Sequence, residues 1–177
     1  VKIAGSLGGP SERDRPIFRA AAATHLRTGV PIHTHCEAGT GALEQVRLLA
    51  DAGVPTAHIS LGHVDKVIDR GYHRELFATG ASVVYDQAFR WGDRPNGTRQ
   101  LLEWAVEDGH ADRVMLGMDA ARQGYYSAFG GTPGLPYLLT AFSDQLQARG
   151  IGMEIRRRFF VDNPARAFAF AAMEVAR

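Results

Sequence analysis

A single cysteine, Cys36, in 177 residues excludes an internal disulfide and fits a reducing compartment, so cytoplasm is the expected setting. Neither sign of charge is in excess. With 20 Lys and Arg against 19 Asp and Glu, there is no electrostatic case for nucleic acid or an anionic membrane as partner. No apolar run approaches the ~20 residues needed to span a bilayer. The amino end, Val1-Lys-Ile-Ala-Gly-Ser6, lacks the basic and apolar regions of a signal peptide. No linker or low-complexity stretch divides the chain, whose length suits one domain. An initiating Met is also lacking, and the chain opens directly in a strand-like run, which reads as the carboxyl part of a longer protein.

What is present is one repeated grammar: a short apolar run, a polar residue able to bind metal, a loop, then a helical pattern. Lys2 lies in the first run. His35 ends Val30-Pro-Ile-His-Thr-His35, and His63 ends Ile59-Ser-Leu-Gly-His63. Asp86 ends Ser82-Val-Val-Tyr-Asp86, and Asp119 ends Val114-Met-Leu-Gly-Met-Asp119. The first helix should start at an Asp14 N-cap with Pro16 in its first turn and stop at Gly29 after about Thr28. Ile17, Phe18, Ala21, Ala22 and Leu26 form its apolar side. Further helices are expected through Leu43–Ala50, Tyr72–Thr79, Leu101–Val106, Leu135–Ala148 and Met153–Phe160. A last one should run from Pro164, capped by Asn163, to the carboxyl end.

Five strands each followed by helix predict a parallel α/β sheet with right-handed crossovers. A complete open sheet of flavodoxin type accommodates that count. So does a TIM (β/α)8 barrel, of which this chain would supply about the last five βα units, residues 1–177 being the carboxyl-terminal portion of one barrel domain. The chemistry favours the barrel. His35, His63 and Asp119 offer two imidazoles and a carboxylate, the ligand types of a hydrolytic zinc site, each at the end of a different strand.

Val30-Pro-Ile-His-Thr-His35, Gly62-His63-Val-Asp65, Tyr72-His-Arg-Glu-Leu76, Asp112-Arg-Val-Met-Leu-Gly-Met-Asp119 and Asp162-Asn-Pro-Ala-Arg-Ala-Phe168 together resemble the phosphotriesterase family of the amidohydrolase superfamily. The resemblance implies a barrel with two divalent metal ions, zinc the expected identity. Lys2 would be a carbamylated bridging ligand, His35 and His63 would complete one metal site with it, and Asp119 would belong to the other. All four are expected to converge at the carboxyl ends of their strands. The first-strand H-x-H of that family has no counterpart in this chain. His33 is expected to pack or support, Asp65 to orient His63, and Cys36 to point away from the site. Arg156-Arg-Arg158 reads as a solvated helix face.

The loop Asp119-Ala-Ala-Arg-Gln-Gly-Tyr125 resembles the branch of the family that hydrolyses phosphorylated sugar lactones, where Arg122 and Tyr125 would hold the phosphate. Lys66 and Arg90 are further candidate contacts; a lysine expected between Phe89 and Arg94 is absent, with Gly92 in its place. The implied activity is a metal-dependent lactonase: a metal-bridging hydroxide attacks the lactone carbonyl, and Asp119 shuttles the proton to the leaving alkoxide. A phosphotriesterase acting at the same centre, or a metal-free fragment acting as a binding module, are the rivals. The partners implied are a small-molecule substrate and the amino-terminal barrel strands of the same protein, with homodimerisation left open.

Overall fold

The computed structural model describes residues 1–172. Five strands, β1 (Lys2–Gly5), β2 (Ile32–Cys36), β3 (Ile59–Gly62), β4 (Ser82–Tyr85) and β5 (Val114–Leu116), form one parallel sheet in the order of the sequence. That order decides between the two architectures. A doubly wound sheet reverses its direction of growth once and so places helices on both faces. Right-handed crossovers that always advance the same way leave every helix on one face, as in a barrel wall.

The residue pattern agrees. Ile3, Thr34, Leu61, Val83 and Val114 lie in register across all five strands and are buried, the row that the helices cover. The row Ala4, His35, Gly62, Val84 and Met115 belongs to the opposite face, as do Lys2, His33, Ser60 and Ser82. This second face carries a polar row, Lys2, His33, Ser60 and Ser82, beside a mostly apolar one that holds His35, and Lys2 and Ala4 stand exposed on it. It is the inner wall of a barrel.

The outer layer comprises α1 (Arg15–Thr28), α2 (Ala42–Asp51), α3 (Arg70–Ala78) and α4 (Gly97–Glu107). After β5 follow α5 (Ala141–Ala148), α6 (Met153–Arg157) and α7 (Asn163–Ala167), the last two joined by a π-helical turn over Arg158–Asp162. Phe18, Leu49, Leu76, Leu101 and Phe159 anchor this layer on the sheet, each fully buried. Burial of a side chain of that size contributes about 1.5–3 kcal/mol.

Several local expectations are corrected. In α1, Phe18, Ala21, Ala22 and His25 are buried, while Ile17 and Leu26 are 52% and 48% exposed. The helix carries apolar residues over more than one face, so periodicity alone could not select the packed one. Asp14 occupies the N-cap position but its carboxylate turns back into the loop, accepting from Ser6 and Ser11, which holds its pKa down at about 2. Asn163 does not cap α7; its buried amide donates to the carbonyls of Ala111 and Val114, tying the end of the chain to the start of β5. That helix ends at Ala167, and the remainder of the expected helix, beyond residue 172, lies outside the described residues. The expected Leu135–Ala148 helix is a 3-10 turn, Leu135–Leu139, followed by α5. Arg156 is not simply solvated: it donates to Ser143 and Gln147 of α5.

Candidate metal and substrate site

His35 is the inward-facing residue next to the end of β2, and His63 follows β3 directly with φ of 66°. A left-handed conformation at a residue with a Cβ costs about 1–2 kcal/mol, so the surroundings must impose it. They do so through Asp86, the residue after β4: one oxygen, Oδ2, lies 3.2 Å from the main-chain nitrogen of His63 and 2.8 Å from its ring Nδ1. The ring contact is a close charge pair that is not aligned as a hydrogen bond. The rings of His35 and His63 meet edge to face, their centroids 4.3 Å apart. His35 Nε2 donates to the exposed carboxylate of Glu37 at 2.9 Å, a contact that holds the Glu37 pKa down.

The expected orienting partner of His63 was Asp65, and the geometry assigns that contact to Asp86 instead. Asp65 turns the other way and accepts from Gln87 N at 2.8 Å and Thr98 Oγ1 at 2.6 Å. It is fully buried, and burial together with the charge of Asp86 pushes its pKa up to about 6. Asp86 moves the other way: burial opposes its ionisation, but hydrogen bonds and charge from His63 and the amide of Gln87 hold it below the usual carboxylate range. Sequence reading noted Asp86 only as a strand end; its pairing with His63 depends on parallel register, which no local motif encodes.

His33 packs as expected. Its Nδ1 lies 3.0 Å from Ser60 Oγ, and its ring rests over Gly62, where a Cβ would come within 3.0 Å of Cε1 and Nε2. Burial, then the charge of Lys2, lowers its pKa to about 4. Cys36 is buried on the helix-covered face, its thiol pushed up to about 12 chiefly by burial. Lys2 is the first residue of β1, opposite His33, and so shares the inner face with the histidines but begins its strand instead of ending it. Asp119 lies three residues beyond the end of β5, in a left-handed turn with φ of 45°. Among the described residues, no three His, Cys, Asp or Glu side chains gather as a metal cluster. The rings of His35 and His63 are in contact, and Asp119 completes no group of three with them.

Asp119 belongs instead to a cleft of about 830 Å³ whose wall includes Lys66, Arg90, Arg122, Tyr125 and Tyr137. Arg90 Nη1 pairs with Asp119 Oδ2 at 3.1 Å, and the same guanidinium donates to the carbonyls of Asp86 and Asp119. It stacks over the rings of Phe89 and Tyr125 at 4.8 and 5.4 Å. Lys66 and Arg122 have no ion-pair partner among the described residues. The loop bearing Arg122 and Tyr125 is closed on itself, with Thr132 N donating to Gly124 O and Gly134 N to Tyr125 O. Gly131 permits that closure, since a Cβ there would meet Gly124 O at 2.2 Å.

The model of the phosphotriesterase family matches residues 1–168. The chain belongs to this family. As a phosphotriesterase-family chain it superposes on a lactonase from Listeria monocytogenes with a TM-score of 0.91 and 34% identity, covering 97% of this chain and 54% of that one. The phosphotriesterase homology protein of Escherichia coli, complexed with phosphate in its active site, gives a TM-score of 0.90 and 31% identity over 96% of this chain and 58% of that one. A phospho-furanose lactonase of Mycoplasmopsis synoviae is 28% identical over 177 residues, 96% of this chain and 50% of the relative. The chain thus spans about half the length of the relatives it matches. The five strands correspond to part of a TIM barrel. Among the described residues, no helix is long and apolar enough to cross a membrane.

Proposed function

We propose that this chain carries part of the catalytic edge of a metal-dependent hydrolase that opens a phosphorylated sugar lactone. The observation that carries the substrate class is the charge of the cleft: Lys66, Arg90 and Arg122 face a single carboxylate, Asp119, which Arg90 already pairs. Two cations remain to meet an anion, and the planar fork of Arg122 and the hydroxyl of Tyr125, both on the cleft wall, suit a phosphate. A relative named for phospho-furanose lactonase activity and a neighbour holding phosphate in its active site support this reading.

The metal assignment rests on the donors of the inner face. His35 and His63 supply two imidazoles that meet edge to face, and Lys2 stands exposed on the same face. These residue types fit a zinc site in part, and Lys2 as a carbamate would add the anionic donor. Two bound divalent ions would supply an activated water and polarise the lactone carbonyl. Glu37 must release His35 Nε2 for His35 to act as a ligand. Asp119 takes the proton of the attacking water and returns it to the leaving alkoxide. Arg90 anchors Asp119 while Phe89 and Tyr125 hold Arg90 in place. The amino-terminal strands of the barrel, a second copy of the protein and a cytoplasmic setting belong to the same proposal.

Arg122→Ala tests the substrate assignment. A charged hydrogen bond to phosphate is worth roughly 1.5–3 kcal/mol, so kcat/KM for a phosphorylated lactone should fall about tenfold to hundredfold. An unphosphorylated lactone of equal ring size should be hardly affected. Equal losses would assign Arg122 to structure, and brisk triester hydrolysis without lactone turnover would favour attack at phosphorus.

A further inference from the structure

We propose that Asp86 is a positioning residue that fixes His63 in one tautomer and one orientation, with Asp65 and Thr98 clamping the peptide that carries Asp86. Asp86 Oδ2 accepts from the main-chain N–H of His63 at 3.2 Å and lies 2.8 Å from its ring Nδ1, out of hydrogen-bond alignment, so a single atom braces the left-handed backbone and sits against the ring. A carboxylate oxygen only accepts, so Nδ1 carries the hydrogen and the Nε2 lone pair is left for a cation. The other oxygen of Asp86 accepts from the Gln87 side-chain amide, a second hold on the carboxylate.

Behind it runs a directed chain of hydrogen bonds. Trp91 Nε1 donates to Thr98 Oγ1 at 3.1 Å, Thr98 Oγ1 donates to Asp65 Oδ2, and the same oxygen accepts from the main-chain nitrogen of Gln87. The residue next to Asp86 is therefore fastened to the start of α4. Asp65, Asp86, Thr98 and His63 are all buried, so water does not compete for these donors. Asp65 Oδ1 is left without a hydrogen-bond partner among the described residues, so all its hold is exerted through Oδ2. Outer partners of this kind typically change metal affinity by about 10–100-fold when removed.

The inference concerns the proposed metal-binding face, but its first readout needs no metal. Long-range ¹⁵N–¹H correlation of the histidine rings, in the metal-free protein at a fixed neutral pH, should show His63 protonated at Nδ1. Asp86→Ala should shift it toward the Nε2-protonated form and weaken zinc binding about 10–100-fold, and Asp86→Asn, which restores an acceptor oxygen, should recover most of both. A wild-type His63 protonated at Nε2 overturns the proposal without any variant, so a failure of Asp86→Ala to fold leaves it testable. Retention of the Nδ1 form in a folded Asp86→Ala protein overturns it as well. Correct tautomer with no zinc affinity would sink the metal reading and leave the positioning role standing.

Discussion

At the scale of single residues, His33 shows how the polar inner face limits stability. Its pKa in the fold is about 4, lowered first by burial and then by Lys2, against an ordinary value near 6.5. Above pH 6.5 neither state is protonated and the group is silent. As pH falls through 6.5 the unfolded chain binds a proton that the fold refuses until about pH 4, so stability declines across that window. Between pH 7 and 5 this group alone should remove about 2 kcal/mol. Urea unfolding of wild type and His33→Asn at the two pH values checks it, the variant losing less on acidification. Equal losses would place the proton on other groups, such as His73, whose pKa burial also lowers. The residue scale is also where sequence reading fell shortest. His35 and His63 were legible as strand-end imidazoles, but the partnership of His63 with Asp86 and of Asp119 with Arg90 joins residues 23 and 29 apart. Such pairings follow from register and loop closure, not from neighbours in the chain.

At the scale of elements, the apolar runs located all five strands, because a β-strand buried on its helix side is mainly apolar at alternate positions whatever follows it, Thr34, bonded to Gln45, being the exception. Their ends were less legible. The last strand stops at Leu116, and Gly117-Met118 lead into the left-handed turn at Asp119, a departure that apolar content conceals. The start of α4 matters more than its length because it fastens the loop after β4, whose Gln87, Phe89 and Arg90 line the cleft. Asn96 accepts from Arg99 N at 3.0 Å as the N-cap and donates to Ala88 O at 2.7 Å, joining the helix to the loop after β4. Asn96→Ala should cost about 1–2 kcal/mol in equilibrium unfolding, the upper part of the usual range for a lost cap because a loop contact goes with it. A cost near zero would mean that Thr98 and Asp65 alone hold that junction.

At the scale of the molecule, a sheet that grows in one direction, with helices on one face and titratable side chains on the other, can place several strands' residues around a common axis. That logic was legible in the sequence because it depends on the order of elements and not on their packing. The gathering of all expected ligands was not: Lys2 begins its strand, and Asp119 turns to Arg90. The central claim is that His35 and His63 form the metal-binding face of a hydrolase. Zinc titration of the purified protein, monitored by calorimetry and bound-metal analysis, tests it most directly. Wild type and His33→Asn should bind zinc alike, whereas His35→Asn and His63→Asn should each weaken binding at least tenfold. Zinc affinity unchanged in both of the latter variants, or lost equally in His33→Asn, would contradict the account.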